Sequence, residues 1–343
     1  MVASAFYTRL SPALAKLLRS LANDALSSLE VGFKFPAGAL SGFRDLLAID
    51  ATVIRLRDLL ADRYAACRTN HTKAAAKLHM VMSVLSGSPN QVRLTAERVG
   101  DTTPWRRVGK WVQGSLLLFD LGYTNFHLFD RIDANGGFFL SRVKTNTNFR
   151  ISAVHRHWRG RGLDVVNRKL QEVLAGIQRT VLDVDVEVSF KSRTYKGRRG
   201  TKCRAFRLVA VRNEESGGYH GYLTNVPADR LAAEEISATY ALRWQVELLF
   251  KAMKTHGNLA DLPSAKAAVV ECLVWASVLA TVVSQVLYRE VRARVARDRH
   301  MPLLRWAAIF SRVAAELLKM VIRNHAPGSR VMQTLSREAP DPN

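Results

Sequence analysis

Tyr240, Arg243, Glu247 and Lys254, in the stretch YALRWQVELLFKAMK, stand at successive spacings of three, four and seven residues. Positions so spaced lie along one face of an α-helix, so a phenol, a guanidinium, a carboxylate and an ammonium would share one polar stripe. Leu242, Val246, Leu249, Phe250 and Met253 fall on the other side, which suits a helix docked on a core. A stripe of this kind could hold a metal ion and the phosphate it acts upon. Taken alone, Arg243 and Glu247 read first as an ordinary ion pair one helical turn apart.

Two more acids close short apolar runs. Leu46, Leu47, Ala48 and Ile49 end at Asp50, and Ser115 to Phe119 ends at Asp120. A short continuous apolar run predicts a strand buried on both faces, with its acid at the exit. Two strand-end carboxylates and Glu247 on a helix would form an oxygen-rich cluster suited to magnesium or manganese. A pair of such ions serves phosphodiester cleavage or transfer, in which an oxygen nucleophile attacks in line and charge collects on the phosphate. Without cations the three carboxylates would repel one another. Singly, an aspartate at such a place is more often a loop-entry or cap residue, and Asp45, Asp58, Asp101 and Asp130 show how common these acids are here.

The elements that must position these groups follow from composition and periodicity. At 343 residues the chain exceeds what one core organises, so two or more subdomains are expected. Lysine and arginine number 51 against 29 acids, a net charge of +22, which implies a polyanionic partner such as nucleic acid or an anionic membrane surface. Cys67, Cys203 and Cys272 are scattered singly, which argues against a disulfide framework or a zinc site and for a reduced, intracellular protein. The longest apolar run, Cys272 to Leu287, falls short of the roughly 20 residues needed to span a bilayer and reads as a buried helix. With no secretory signal at MVASAFYTRLSP, nucleic acid is favoured over membrane.

Ser11 and Pro12 open a helical lead-in to about residue 31. Leu78 to Leu85 reads as a strand, Asn90 to Val99 as a helix start, Tyr123 to Ile132 as amphipathic, and Phe138 to Val143 as a strand after the Asn135-Gly136-Gly137 turn. Leu182, Val184, Val186, Val188 and Phe190 alternate with polar residues, a strand with one wet face, and Phe206 to Val211 is its expected partner. Between them, Lys191 to Arg207 holds eight basic residues, among them Lys196, Arg198, Arg199 and Lys202, with no acid. From Ala232 the chain is helical, with an apolar helix near 264–295 and an amphipathic one at 303–323, and the Pro-rich tail from Pro327 is expected to be disordered.

Taken together, these residues resemble the DDE transposases of bacterial insertion sequences, in the IS-four group defined by Y-x2-R-x3-E-x6-K. Tyr240, Arg243, Glu247 and Lys254 match that signature at every spacing. The resemblance extends to Ile49-Asp50-Ala51-Thr52, Leu118-Phe119-Asp120-Leu121-Gly122-Tyr123, Leu223-Thr224-Asn225 and Arg243-Trp244, over roughly residues 45–290. Leu121 departs from the family, where an arginine is frequent, and only 49 residues precede Asp50 where relatives commonly carry a longer DNA-binding region.

The resemblance implies an α/β, ribonuclease-H-like mixed-sheet core with a β-rich insertion and helical terminal segments. The boundaries expected are a helical segment at 1–44, core at 45–145, basic β-rich insertion at 146–230, catalytic helix at 231–262, helical region at 263–326 and tail at 327–343. It further implies that Asp50, Asp120 and Glu247 bind two magnesium ions, manganese serving as well, for DNA strand cleavage and strand transfer. Arg243, Lys254 and Tyr240 would then contact phosphates near the scissile bond, Trp244 would stack on an unpaired base unless it is core, and Lys196, Arg198, Arg199 and Lys202 would track the backbone. The expected partners are double-stranded DNA, both element ends and target, with a homodimer in the DNA complex and no membrane. The expected place is the bacterial cytoplasm, at the nucleoid. Two other readings stay open: an impaired or truncated relative that only binds DNA, and a ribonuclease-H-like nuclease that hydrolyses without joining.

Overall fold

The Ser11 hydroxyl accepts the Leu14 amide at 3.2 Å and opens α1 (Pro12–Leu29), the cap that the Ser-Pro pair predicts. A computed structural model describes residues 7–29, 38–67, 70, 72–155, 157–158, 161–191, 200–260, 262, 264–295, 300–323 and 329–340. Along the chain follow β1 (Leu46–Leu56), β2 (Ala74–Ser83), β3 (Ser88–Ala96), β4 (Leu116–Phe119), α2 (Phe126–Ala134), β5 (Phe138–Arg142) and β6 (Arg150–Val154). Then come α3 (Leu170–Gly176), β7 (Val181–Lys191), β8 (Thr201–Arg212), β9 (Tyr219–Thr224), α4 (Ile236–Ala241), α5 (Gln245–His256), α6 (Ala267–Arg294), α7 (Leu303–Ile322) and α8 (Ser329–Glu338). Two compact units divide these elements. The first holds Met1–Phe33, Ala51–Gly100 and Gln245–Asn343, the second Lys34–Asp50 and Asp101–Trp244, so β1 starts in the second and ends in the first.

In the second unit the strands lie in the order β1-β4-β5-β9-β8-β7-β6. β1, β4 and β5 are mutually parallel, and the rest join antiparallel from β9 outward. Leu116, Leu117, Leu118 and Phe119 are all buried, as a strand covered on both faces must be. The β-rich stretch expected after residue 146 thus extends this same sheet. In the first unit β3 pairs antiparallel with β2, and β2 neighbours β1. The fold is mixed α/β, with parallel and antiparallel strands in its sheet.

α2 is held over β4 and β5 by aromatic packing: Phe129 stacks on Phe139 at 4.3 Å, and Phe119 meets Phe129 at 5.5 Å. The Asn125 side chain caps α2 by accepting the Leu128 amide at 3.1 Å. Arg207 on β8 grips Asp183 on β7 through two bonds of 2.8 and 2.7 Å, with both side chains only 3% exposed. The same guanidinium donates to the carbonyls of Val226 and Leu231, at 3.2 and 2.8 Å, pinning the segment that leads into α4. Buried charge is tolerated here because four of the five donors are used.

In the first unit α6 packs along α1 and carries Trp275, over which the Arg19 guanidinium sits at 5.8 Å. Trp306 of α7 donates to Ser284 of α6 at 2.9 Å, and Trp306, Ile309, Val331 and Leu335 share one buried cluster. α6 runs 28 residues, longer than its apolar run suggested, and by length and composition suffices to cross a membrane; half of its most apolar window is buried within the structure.

Three expectations are corrected. The stretch expected to start a helix at Asn90 is strand as far as Ala96, because β2 offers Met80 and Leu78 as partners for Val92 and Leu94 and pairing outweighs local propensity. Within the stretch expected to be a disordered tail, Ser329–Glu338 forms α8, whose Val331 and Leu335 share a buried cluster with α7. β1 continues past Asp50 to Leu56, with Ile54 and Leu56 buried, so Asp50 lies inside a strand.

Replacing Arg207 with alanine strands the Asp183 charge in the interior, and the expected loss is about 3–5 kcal/mol of stability in urea unfolding. The Arg207→Met, Asp183→Leu double variant should recover most of that loss, which a double-mutant cycle measures.

Candidate active site

Ile49 lies opposite Phe119 in the parallel ladder, so Asp50 and Asp120 take the next places on adjacent strands, where neighbours are about 4.8 Å apart. β4 ends at Phe119 while β1 continues, which opens the sheet beside Asp50. Asp120 occupies the N-cap position of the 3₁₀ turn Leu121–Tyr123, yet its side chain makes no capping bond. The carboxylate is therefore not consumed by the turn, which removes the commonplace explanation for it.

Arg243 and Tyr240 reach these acids from the end of the same unit. Arg243 Nη1 is 4.0 Å from Asp50 Oδ2. Its guanidinium carbon lies 5.7 Å from the Tyr240 ring centre and 5.8 Å from that of Trp244. The Tyr240 ring in turn contacts Tyr222 at 5.1 Å. Burial pushes the Tyr240 phenol up to about 12; Arg243 pulls it down and Asp120 adds to the rise. Tyr123 is also driven upward, first by burial and then by the negative charges of Asp50, Asp101 and Asp120.

The polar stripe is not carried by one continuous helix. α4 stops at Ala241, Leu242–Trp244 form a 3₁₀ turn, and α5 starts at Gln245. A 3₁₀ turn advances each residue by about 120° instead of 100°, so it re-aims side chains relative to an unbroken α-helix. Here it leaves Arg243 buried while Trp244 is 55% exposed, which excludes Trp244 from the core.

Glu247 and Lys254 belong to the first unit, half-buried on α5, while Val246, Leu249, Phe250 and Met253 are buried as their spacing predicts. Burial and the nearby Arg55 lower the Lys254 pKa. Arg55 is itself anchored by Glu97 at 3.0 Å.

Of the expected backbone contacts, Lys196, Arg198 and Arg199 lie outside the described residues. Lys202 is paired with Asp130 at 2.6 Å, and Arg204 with Asp130 at 3.2 Å and with Asp133. The basic run has no acid of its own, but α2 supplies them across the sheet. Sequence reasoning also passed over Asp101 and Tyr123 as site residues; the only signal was the position of Tyr123 three residues after Asp120.

Among the described residues no group of three or more His, Cys, Asp or Glu side chains stands ready as a metal cage. The donor set nonetheless fits a hard divalent cation: one carboxylate on β1 and one just past the end of its neighbour β4, with a buried phenol in their field.

Residues 41–283 match the family of the transposase DDE domain. The chain belongs to that family. It is 21% identical over 301 residues to the transposase of insertion sequence element IS231E from Bacillus thuringiensis subsp. finitimus, covering 80% of this chain and 63% of the relative. The transposase of IS1151 from Clostridium perfringens is 23% identical over 242 residues, covering 62% of this chain and 50% of the relative. This DDE chain therefore spans between half and two thirds of the length of these relatives. A cryo-EM structure of the piggyBac transposase synaptic complex with hairpin DNA is similar at a TM-score of 0.46 and 11% identity, over 88% of this chain and 59% of that one.

A Tyr240 pKa raised from 10.0 to about 12 means that folding holds the phenol neutral. Its contribution to stability is full below pH 10 and is lost as pH rises through 12. Tyrosinate absorbance at high pH should therefore show one late-titrating phenol fewer in Tyr240→Phe, with that of Tyr123 remaining.

Proposed function

We propose that this chain is a DNA transposase that cuts element ends and joins them to target DNA through a site built on Asp50, Asp120 and Glu247. The observation that carries the reading is the register of β1 and β4, which sets Asp50 and Asp120 side by side in a chain of the DDE family. Glu247 is assigned by its place in the Tyr240-Arg243-Glu247-Lys254 motif. Two divalent ions bound by the three carboxylates would supply an activated oxygen nucleophile and neutralise charge on the phosphate.

The chain's own residues do the rest. Arg243, held between two aromatic rings, presents a preformed guanidinium fork to a DNA phosphate close to Asp50. Tyr240 stays protonated at neutral pH and can donate a hydrogen bond. Lys254 adds a cation whose charge burial disfavours, so a phosphate partner would be welcome. Trp244, exposed beside Arg243, offers a face for an unstacked base. The partner is double-stranded DNA, engaged by two copies of the chain at the nucleoid, and the +22 charge supplies salt-dependent affinity.

The test is a nicking and strand-joining assay with magnesium on DNA bearing the element's ends. Asp50→Asn, Asp120→Asn and Glu247→Gln should each reduce cleavage by more than the roughly 10- to 100-fold that loss of an outer-shell partner costs, with DNA binding retained. Substantial cleavage by any one of them removes that acid from the site. Hydrolysis without joining would favour a nuclease, and binding without either a chain that only binds DNA.

A further inference from the structure

The Tyr123 hydroxyl is an anomaly. The residue is 3% exposed, and its oxygen has no hydrogen-bond partner among the described residues. A buried hydroxyl left unpaired is costly, and few persist in a folded protein. Its position is fixed by the backbone: Tyr123 N bonds to the Asp120 carbonyl at 2.9 Å, closing the turn that follows β4. The ring packs against that of Phe119, 6.0 Å between centroids. Asp50, Asp101 and Asp120 are near enough to act electrostatically on the phenol, after burial. Asp101 precedes Thr102, whose Oγ1 accepts from the Asn125 side chain at 3.2 Å. The donor is thus a buried O–H in the field of acids of which two belong to the site proposed above.

We propose that Tyr123 is a positioning residue for the divalent-cation site, its hydroxyl donating to a site carboxylate or to a water on the cation, with Asp101 as an outer carboxylate of the same cluster. The inference rests on the site reading given above. A carboxylate that binds a cation through one oxygen keeps the other free to accept a hydrogen bond, and such outer donors hold ligands in orientation. With a cation bound, such a carboxylate oxygen or a water on the cation would give the O–H its acceptor.

The experiment is manganese binding to the full chain after chelation of bound metal, read by electron paramagnetic resonance, alongside thermal melting of the metal-free protein. Tyr123→Phe should weaken manganese affinity about 10-fold while the metal-free melting temperature stays the same or rises, since an unpaired buried hydroxyl has been removed. Asp101→Asn should weaken affinity in the same direction. Unchanged affinity in Tyr123→Phe overturns the proposal and leaves a packing role. A wild-type protein whose manganese binding is absent, or insensitive to Asp120→Asn, overturns the site reading and this inference together.

Discussion

The constraint on which the proposed site depends is the in-register parallel pairing of β1 with β4. Ile49 opposite Phe119 makes Asp50 and Asp120 neighbours, whatever lies elsewhere in the chain. Strand spacing and side-chain alternation leave no freedom in this: a slip of one residue would turn one carboxylate to the opposite face. The apolar residues before each aspartate secure the register, because Leu46 to Ile49 and Leu116 to Phe119 are buried on both faces. Two negative charges are thereby forced together at a place where the sheet opens. In the absence of counter-charge that is unfavourable, and Arg243 at 4.0 Å from Asp50 is the protein's partial answer.

Some of the chain's cations are engaged within the protein. Arg207 is buried on Asp183 and two carbonyls, Lys202 and Arg204 meet acids of α2, and Arg230 lies over Phe43 and Phe138 at 4.7 and 4.3 Å. Such groups help to hold the sheet and its connections. Net charge points to a class of partner, but it does not say which cations would face that partner. A run without acids in sequence can be neutralised by acids from another element, as β8 is by α2.

The Tyr240 to Lys254 segment shows how far periodicity reaches. The apolar spacing of Val246, Leu249, Phe250 and Met253 foretells the buried face of α5, since helical geometry alone decides it. The break at Leu242–Trp244 was not legible, because no proline or glycine marks it and the preference for 3₁₀ over α geometry there is set by surroundings. Yet that turn buries Arg243 between Tyr240 and Trp244 and leaves Trp244 in solvent. Asn90–Val99 failed for a related reason, since a strand partner is a tertiary fact.

By itself the sequence determined the apolar runs that lead up to Asp50 and Asp120, the helix at Ser11-Pro12, the alternating strand from Val181 and the motif that marks the family. Each of these depends on residues within a few positions of one another, where backbone geometry leaves few choices. Only the tertiary structure decided that Asp50 lies inside a strand, that Asp120 escapes capping, that Arg207 and Lys202 are internal partners, and that Tyr123 holds an unpaired hydroxyl among three acids. Those outcomes depend on groups dozens of residues apart that meet only when strands pair, and no local pattern encodes such meetings.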